Sequence, residues 1–214
     1  MRVSFLCSDE QHPVNKYLFD WITRQQERHQ IELVRRKSEL SGGDILFLIS
    51  CSEIVNADER SAYRVSLVLH ASDLPHGRGW SPHIWQLIAG ADEITLSLLE
   101  AEDKVDSGRI WKKVVFPVPK HALCHEINKC LFEAEIELID FAIDAFENIV
   151  PAEQTTSLEP TYYPRRLPED SRVDPLQSIA SQFDKIRVCD PDRFPAFFEL
   201  HGINYKITLE KIND

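Results

Sequence analysis

The sequence predicts an α/β domain with a mainly parallel central sheet. Short apolar runs rich in β-branched residues recur at 3–7, 31–34, 45–49 and 65–69, as expected for strands buried on both faces. A segment with helical spacing separates the first two runs. This order of strands and an amphipathic helix is typical of a layered α/β fold.

The first helix is predicted to begin at Pro13, because proline suits the first helical position. The apolar residues after it fall at i, i+3, i+4, i+7 and i+8, which places them on one helical face. They are Val14, Tyr17, Leu18, Trp21 and Ile22. The turn at 41–43 contains two glycines but no G-x-G-x-x-G pattern, so we predict no dinucleotide site there.

A second helix is predicted after a Gly/Pro-rich loop at 73–79. Ser81 is placed as its N-cap, Pro82 as its first residue and Gly90 as its C-terminal stop. Two further strands are predicted at 93–100 and 110–116 and a long helix at 125–149. The acidic residues of that helix fall mostly opposite its apolar stripe, as on a solvated face.

The character of the sequence changes after Pro151. Prolines at 151, 160, 164, 168 and 175 make this segment too proline-rich for a helix, which predicts an extended arm. A short helix at 179–186 and a β-hairpin joining 196–200 to 205–212 are predicted beyond it. We therefore divide the chain into a domain of residues 1–150 and a small C-terminal arm and hairpin of residues 151–214.

The composition argues against several classes of protein. The chain has 214 residues and a formal net charge of −11, whereas a protein that grips tRNA or duplex DNA usually carries a basic face. Its five cysteines form no C-x-x-C pair, which favours free thiols over a zinc site or a disulfide framework. The first apolar run is too short for a signal peptide or a membrane span. We expect a cytoplasmic protein with no metal, nucleic-acid or membrane partner.

One segment carries the strongest chemical signal. Residues 69–82 read LHASDLPHGRGWSP, follow a predicted strand and run into a helix. The segment places His70 at the carboxyl end of a parallel strand, where α/β proteins bind ligands. A second polar loop, Asp106-Ser107-Gly108, follows another strand 36 residues later.

The combined pattern H-x-S-x-L-P-x-x-R-G-x-x-P, then D-x-G-x-I, resembles the folate-dependent formyltransferases. Segments 12–18, 162–170 and 195–198 extend the resemblance over nearly the whole chain. It is most similar to the small sugar-nucleotide N-formyltransferases, particularly those of pseudaminic-acid-type pathways. The resemblance implies a Rossmann-like formyltransferase domain with a small C-terminal extension.

The resemblance also implies a catalytic trio of Asn, His and Asp. His70 and Asp106 match its last two members by motif and spacing, but the asparagine position holds Val68. Valine has no hydrogen to donate to a developing oxyanion. Ser72 or a backbone N–H is the expected replacement. Loss of one such donor typically costs about 10²–10³ in rate.

These residue types suit the transfer of a formyl group to an amine. Attack on the formyl carbon creates a charged tetrahedral intermediate, which needs an oxyanion donor and a group that manages the protons of the amine. A histidine can do either near neutral pH. By resemblance, the neighbouring Asp106 orients the His70 imidazole and favours its protonated form.

The resemblance places N10-formyltetrahydrofolate as co-substrate against two segments. The expected contacts after the strand at 45–49 are Ile49, Ser50, Cys51, Ser52 and Ile54. Those before the catalytic aspartate are Ala101, Glu102, Asp103, Val105 and Asp106 itself.

The acceptor is expected to contact Arg78, Trp80, Tyr162, Tyr163 and Arg165. Aromatic stacking and guanidinium–phosphate contacts would suit a phosphorylated, base-bearing ligand. Two alternatives stay open: Arg78 as a structural loop residue, and the arm as a packing segment with solvated arginines.

The resemblance therefore implies formylation of an amino-dideoxy sugar carried on a nucleotide, a reaction of bacterial surface-polysaccharide (lipopolysaccharide or other surface glycan) biosynthesis. The alternatives are an enzyme like methionyl-tRNA formyltransferase, and a folate- or sugar-binding homologue impaired by Val68. The C-terminal hairpin also offers an edge strand through which two copies could pair as a homodimer.

Overall fold

A six-stranded sheet forms the centre of the protein in a computed structural model that describes residues 1–212. The strands of the whole chain are β1 Arg2–Leu6, β2 Gln30–Val34, β3 Gly43–Leu48, β4 Tyr63–His70, β5 Arg78–Gly79, β6 Glu93–Glu100, β7 Ile110–Pro117, β8 Tyr162–Tyr163, β9 Ala196–Leu200 and β10 Ile203–Ile207. The spatial order in the central sheet is β2-β1-β3-β4-β6-β7.

Four of these strands, β2, β1, β3 and β4, are parallel to one another. Strand β6 is antiparallel to β4, and β7 is antiparallel to β6. The predicted α/β class with a mainly parallel sheet is therefore confirmed. Because β6 runs against β4, the carboxyl end of β6 lies beside Leu67 rather than beside His70. The loop after β6 must fold back to reach His70.

Five α-helices accompany the sheet in the described part of the chain. They are α1 Val14–Gln25, α2 Ala57–Arg60, α3 Pro82–Ile88, α4 Cys124–Ala145 and α5 Ile179–Arg187. Helices α1 and α4 bury their apolar faces in the main core. The indole of Trp21 on α1 donates a 2.6 Å hydrogen bond to Asp140 on α4, which fixes the two helices together.

The helix ends differ from the predictions by a few residues. Helix α1 begins at Val14, and Pro13 is its N-cap rather than its first residue. The long helix ends at Ala145 rather than at 149. Ser81 is the residue before α3, as predicted, but it adopts a left-handed conformation and its hydroxyl makes no capping bond. The short helix α2 was not predicted. Its start is fixed by Asn56, whose side chain accepts a hydrogen bond from the backbone N–H of Glu59.

The C-terminal segment packs around its own small core. Its buried apolar residues are Val173, Ile186, Cys189 and Ala196. The predicted hairpin is present, but its second strand starts at Ile203, because His201 and Gly202 form a tight turn with positive φ angles. Asn213 and Asp214, the last residues of the predicted extension, lie outside the described residues. A domain boundary near residue 150 stays a prediction.

Three further observations concern the cysteines, possible metal ligands and possible membrane-spanning helices. All five cysteines are free thiols. Within residues 1–212, no three His, Cys, Asp or Glu side chains converge as metal ligands. Over the same range, no helix is both long and apolar enough to cross a membrane.

Candidate active site

His70 is the last residue of β4 and is 7% exposed. Its Nε2 lies 2.8 Å from the carbonyl oxygen of Gly77, and its Nδ1 lies 3.5 Å from Oδ1 of Asp106. Since a carbonyl oxygen only accepts hydrogen bonds, Nε2 must carry the proton that it donates to Gly77. The second nitrogen faces a carboxyl oxygen. The structure therefore holds this imidazole as a hydrogen-bond donor.

Asp106 sits in the loop after β6, 9% exposed, with a left-handed φ of 55°. Its Oδ2 accepts a 2.8 Å hydrogen bond from the backbone N–H of Gly79. Gly108 explains the glycine of the D-x-G motif, because a Cβ there would lie 2.0 Å from the carbonyl oxygen of Glu100. The motif thus encodes a close backbone approach that folds the loop back over the sheet.

The loop between His70 and α3 is fixed by side chains of the antiparallel strands. Ser97 on β6 donates a 2.7 Å hydrogen bond to the carbonyl oxygen of Ser72. Lys113 on β7 bonds both Asp73 and the carbonyl oxygen of Leu74, each at 2.6 Å. The Ser72 hydroxyl is buried and has no partner within residues 1–212. Its proposed role as an oxyanion donor stays a prediction, which this buried position does not favour.

Val68 lies two residues before His70, so both side chains stand on the same face of β4. In the sheet it pairs with Leu48 of β3 and Leu99 of β6. The position suits a third member of the trio, but the side chain has no polar atom.

The proline-rich arm joins the active-site loop as a short parallel ladder. Strand β8 pairs with β5, so that Tyr162 and Tyr163 lie beside Arg78 and Gly79. The backbone N–H of Arg78 donates to the carbonyl oxygen of Thr161 at 2.9 Å. Gly79 is required by this contact, since a Cβ there would lie 2.4 Å from the carbonyl oxygen of Tyr163. The arm is therefore part of the site's framework.

Gln154, in the arm, was missed by the sequence analysis. Its amide nitrogen donates 2.9 Å hydrogen bonds to the carbonyl oxygens of both Asp106 and Gly108. Its amide oxygen accepts a 2.6 Å bond from the buried guanidinium of Arg78. One side chain thus ties the aspartate loop to the arginine. A lone glutamine between Glu153 and Thr155 gives no sequence signal of such a role.

The residues predicted to contact the acceptor fall into two groups, those buried within the site and those exposed at its rim. Arg78 is 5% exposed, whereas Trp80 and Tyr162 are 46% and 58% exposed. The guanidinium of Arg165 lies 5.1 Å over the Trp80 ring. Tyr163 instead stacks on Trp85 of α3, with ring centres 6.5 Å apart. Trp80, Tyr162 and Arg165 are the members of the set that face solvent.

The two segments predicted to bind folate are adjacent. Arg60 joins them, because its guanidinium donates to the carbonyl oxygen of Val55 at 2.6 Å and forms a 2.7 Å ion pair with Asp103. Ile54 and Val105 are exposed apolar side chains on the two segments, at 73% and 55%. A cavity of about 510 Å³ lies along the second segment. It is lined by Glu102, Asp103, Lys104, Ser107, Gly108, Arg109 and Glu153.

The other predicted folate contacts vary in accessibility. Ile49 is buried and Cys51 is half-buried, while Ser50, Ser52 and Glu102 are exposed. Ala101 is partly covered and donates its N–H to the carbonyl oxygen of Ser66. Direct contact of Ile49 with a ligand would therefore be through its backbone.

Two further histidines lie in the same region. Nδ1 of His12 accepts a hydrogen bond from the N–H of Val14 at 3.3 Å, and Nε2 lies 3.2 Å from Oγ of Ser50. Burial, reinforced by the nearby Arg193, lowers the pKa of His12 to about 4. Burial beside His70 likewise lowers the pKa of His83 to about 4. Neither histidine carries a motif that marks it as functional.

Comparison by sequence finds formyltransferases, although no family model matches the chain. The methionyl-tRNA formyltransferase of Deinococcus radiodurans is 26% identical over 147 residues, covering 67% of this chain and 46% of its own length. That of Rickettsia bellii is 27% identical over 173 residues, covering 80% of this chain and 56% of its own. The chain thus spans about half the length of the curated relatives it matches.

Comparison by structure gives fuller coverage. A methionyl-tRNA formyltransferase from Clostridium thermocellum superposes with a TM-score of 0.84, at 19% identity, over 100% of this chain and 94% of its own. The chain has the formyltransferase fold. HypX from Aquifex aeolicus in complex with tetrahydrofolic acid matches with a TM-score of 0.80, at 21% identity, over 95% of this chain and 36% of its own. A sugar N-formyltransferase from a Shewanella species matches with a TM-score of 0.73, at 12% identity, over 100% and 99%.

These matches confirm the resemblance to formyltransferases that the His70 and Asp106 motifs predict. The formyltransferase fold here is shared by proteins named for tRNA and for sugar substrates. The fold alone therefore does not choose the acceptor.

Proposed function

We propose that the protein is a folate-dependent N-formyltransferase whose acceptor is the primary amine of an amino-dideoxy sugar on a nucleotide. The observation that carries the activity is the buried His70–Asp106 pair, 3.5 Å apart, at the edge of a formyltransferase fold. Residues 1–150 would supply the catalytic pair, and the arm would complete the acceptor side. Action in the cytoplasm on precursors of a bacterial surface glycan belongs to the same proposal.

The residues at the two folate segments fit a flat ring with polar edges. Ile54 and Val105 expose apolar surface. A cavity of about 510 Å³ lies along the second segment and is lined by its polar residues Glu102, Asp103 and Lys104. N10-formyltetrahydrofolate bound there would supply the formyl group. Arg60 would keep the two segments at a fixed distance through its contacts with Val55 and Asp103.

The catalytic pair would act by orientation and charge. Asp106, held by Gly79 and Gln154, faces Nδ1 of His70 and would orient the imidazole for proton transfer. The N–H groups of this region would stabilise negative charge that develops on the formyl oxygen. Because Val68 has no hydrogen-bond donor, the site has one donor fewer than the trio that the resemblance implies.

The rim of the site favours a nucleotide sugar. Trp80 and Tyr162 expose ring faces, and Arg165 places a guanidinium beside them. Such a platform suits stacking with a base and contact with a phosphate. The same rim would be too small for the many phosphate contacts of a tRNA on a chain of net charge −11.

The direct test mixes the protein with N10-formyltetrahydrofolate and a panel of amino-sugar nucleotides, and follows release of tetrahydrofolate. We expect release only with a matching sugar, and a formamide product by mass spectrometry. Absence of turnover across the panel would contradict the sugar proposal.

A second candidate is formylation of methionyl-tRNA, which both curated sequence relatives perform by name. A gel-shift titration with charged initiator tRNA separates the two. Tight, salt-sensitive binding would favour the tRNA candidate, and unbound tRNA at micromolar protein would favour the sugar.

The third candidate, an impaired binding homologue, rests on Val68 alone. Substituting Val68→Asn restores an amide donor on the same face of β4 as His70. We expect kcat to rise about tenfold or more, because one oxyanion donor is worth about 10²–10³ in rate. Wild-type turnover that vanishes in His70→Ala would exclude a purely binding role, and an unchanged kcat in Val68→Asn would show that another donor already acts.

A further inference from the structure

The ring of His70 has one hydrogen-bond partner within residues 1–212. The histidine is 7% exposed, and its Nε2 donates a 2.8 Å hydrogen bond to the carbonyl oxygen of Gly77. The 3.5 Å separation between its Nδ1 and Oδ1 of Asp106 is longer than the usual range for a hydrogen bond. The position of the Gly77 carbonyl therefore largely decides how the imidazole is oriented.

Thr161, in the arm, holds Gly77 at two points. Its Oγ1 accepts a 2.8 Å hydrogen bond from the backbone N–H of Gly77. Its carbonyl oxygen accepts a 2.9 Å hydrogen bond from the backbone N–H of Arg78. That N–H belongs to the same peptide group as the Gly77 carbonyl. One threonine therefore fixes the peptide groups on both sides of Gly77, one through its side chain and the other through its backbone.

These contacts form a continuous chain of hydrogen bonds from the arm to the imidazole. The chain runs from the carbonyl oxygen of Thr161, through the peptide group between Gly77 and Arg78, to Nε2 of His70. Each hydrogen bond in such a chain polarises the next, so the bond to Thr161 makes the Gly77 carbonyl a better acceptor for His70. A shift of the arm would therefore reach the ring through two hydrogen bonds.

Gly77 itself has little freedom to adjust. It is buried, its φ of 73° is left-handed, and a Cβ there would lie 2.9 Å from Cε2 of Tyr163 and 3.0 Å from Cβ of Ser72. Loss of the Thr161 hydroxyl would leave the N–H of Gly77 unpaired in this buried position, which is costly. The peptide would turn to find another partner, and its carbonyl would turn away from His70.

We propose that Thr161 is a positioning residue for His70, and that it links the acceptor side of the site to the catalytic pair. The inference rests on the proposed function. The next residue along the chain, Tyr162, is 58% exposed at the rim where the acceptor is expected. An acceptor that contacts Tyr162 would also steady Thr161, and with it the Gly77 carbonyl and the His70 ring. Binding of the acceptor and orientation of the histidine are therefore coupled through the arm.

A threonine that only stabilises the fold would behave differently. Removal of its hydroxyl would then lower the free energy of unfolding or the affinity for the acceptor, and kcat would stay unchanged. Positioning instead predicts a loss in kcat with little change in the KM for the formyl donor. The loss can be large, because misplacing a reacting group by about 1 Å can cost about 10² in rate.

The test compares Thr161→Val, which keeps the shape of the side chain but loses the hydroxyl, with Thr161→Ser, which keeps the hydroxyl. Because Thr161 is exposed, both variants should fold. With an amine acceptor that the wild-type protein formylates, we expect kcat to fall about 10- to 100-fold in Thr161→Val. In Thr161→Ser it should stay within about threefold of the wild type, and the KM for N10-formyltetrahydrofolate should change less than about threefold in both variants.

Thr155→Val is the matched control. Thr155 is an exposed threonine of the same arm, and in the described part of the chain its hydroxyl bonds only Ser157. The control variant should match the wild type in kcat and in KM. Retention of kcat within about threefold in Thr161→Val, or a change in KM alone, would overturn the inference.

A second measurement needs no turnover. In protein with ¹⁵N-labelled histidine, the Nε2 proton of His70 should be protected from exchange with water in the wild type and in Thr161→Ser. In Thr161→Val it should exchange about tenfold faster or more, since the carbonyl that accepts it has moved. The resonance is identified by its loss in His70→Gln, and equal protection in Thr161→Val and the wild type would overturn the inference.

The two measurements separate this inference from the proposed function. If the wild-type protein formylates no amine at all, the proposed function has failed, and proton exchange at His70 then decides the positioning claim by itself. An active wild type with an equally active Thr161→Val variant would leave the proposed function standing and remove the role given to Thr161.

Discussion

Asp106 and Glu135 are two buried carboxyl groups, 9% and 7% exposed, in opposite surroundings. Asp106 meets the backbone N–H of Gly79 and Nδ1 of His70. Glu135, on α4, has an oxygen with no hydrogen-bond partner within residues 1–212. Burial alone raises the pKa of Glu135 to about 8.

The difference shows that the effect of burial on a carboxyl group depends on the hydrogen-bond donors around it. Donors around Asp106 are in place before any ligand arrives, so its carboxyl can respond to charge on His70. Glu135 meets no donor that would stabilise its charge and takes up a proton instead. The comparison can be tested by changing each group in turn.

The largest effect is expected for Asp106→Asn. The amide keeps the size of the side chain but loses the negative charge that faces Nδ1 of His70, so kcat should fall about 10³-fold, equivalent to about 4 kcal/mol. Steady-state formyl transfer measures it. Asp20→Asn, at an exposed position on α1, is the control and should keep full activity. Activity retained in Asp106→Asn would contradict the role given to the pair.

The next effect is a gain in stability in Glu135→Gln at alkaline pH. In the folded protein this carboxyl keeps its proton up to a pKa of about 8, against an ordinary value of 4.5. The unfolded chain therefore loses the proton first, and this group makes the fold less stable as pH rises from about 4.5 to about 8. The stability of the variant relative to the wild type should therefore be about 3.5 kcal/mol greater at pH 8 than at pH 5.

Urea unfolding at both pH values measures this difference. Glu133→Gln, on the exposed face of the same helix, is the matched control and should show no such pH-dependent gain. Equal stabilisation of Glu135→Gln at pH 5 and pH 8 would show that the carboxyl is charged in the folded protein.

The smallest effect is expected for Gln154→Leu, which leaves Asp106 and its charge in place. The carbonyl oxygens of Asp106 and Gly108 and the guanidinium of Arg78 lose a partner each. We expect kcat/KM to fall about tenfold, or about 1.4 kcal/mol, through looser positioning. Gln154→Glu keeps the contact with Arg78 but lacks the two donor bonds, so a similar loss would assign the effect to Asp106 rather than to Arg78.

Much of the fold could be predicted because the main elements are long and periodic. The strand at 93–100 has the predicted bounds, and the parallel core strands differ by one or two residues at their ends. The antiparallel direction of β6 could not be predicted, because alternation shows which face is buried but not which strand lies alongside. Helix α2 was missed because four residues are too few to show a period.

Residues of the candidate site could be predicted only where they belong to a sequence motif. His70, Asp106 and Gly108 belong to such a motif, and for Gly108 the structure shows the steric cause. Gln154 contacts groups that the folded chain brings from far along the sequence. A glutamine is ordinary at that position, so no local pattern marks it.

The pairing of β5 with β8 has a consequence for how the protein is made. The backbone N–H groups of Gly77, Arg78 and Trp80 donate to oxygens of Thr161 and Tyr163, which the ribosome adds more than eighty residues later. The strands of the central sheet can be in place by then, while the catalytic loop still lacks one side of its frame. A nascent chain should therefore become able to bind its ligands only near the end of its synthesis. A chain truncated near residue 150 would lack Thr161 and Tyr163 and should not bind these ligands.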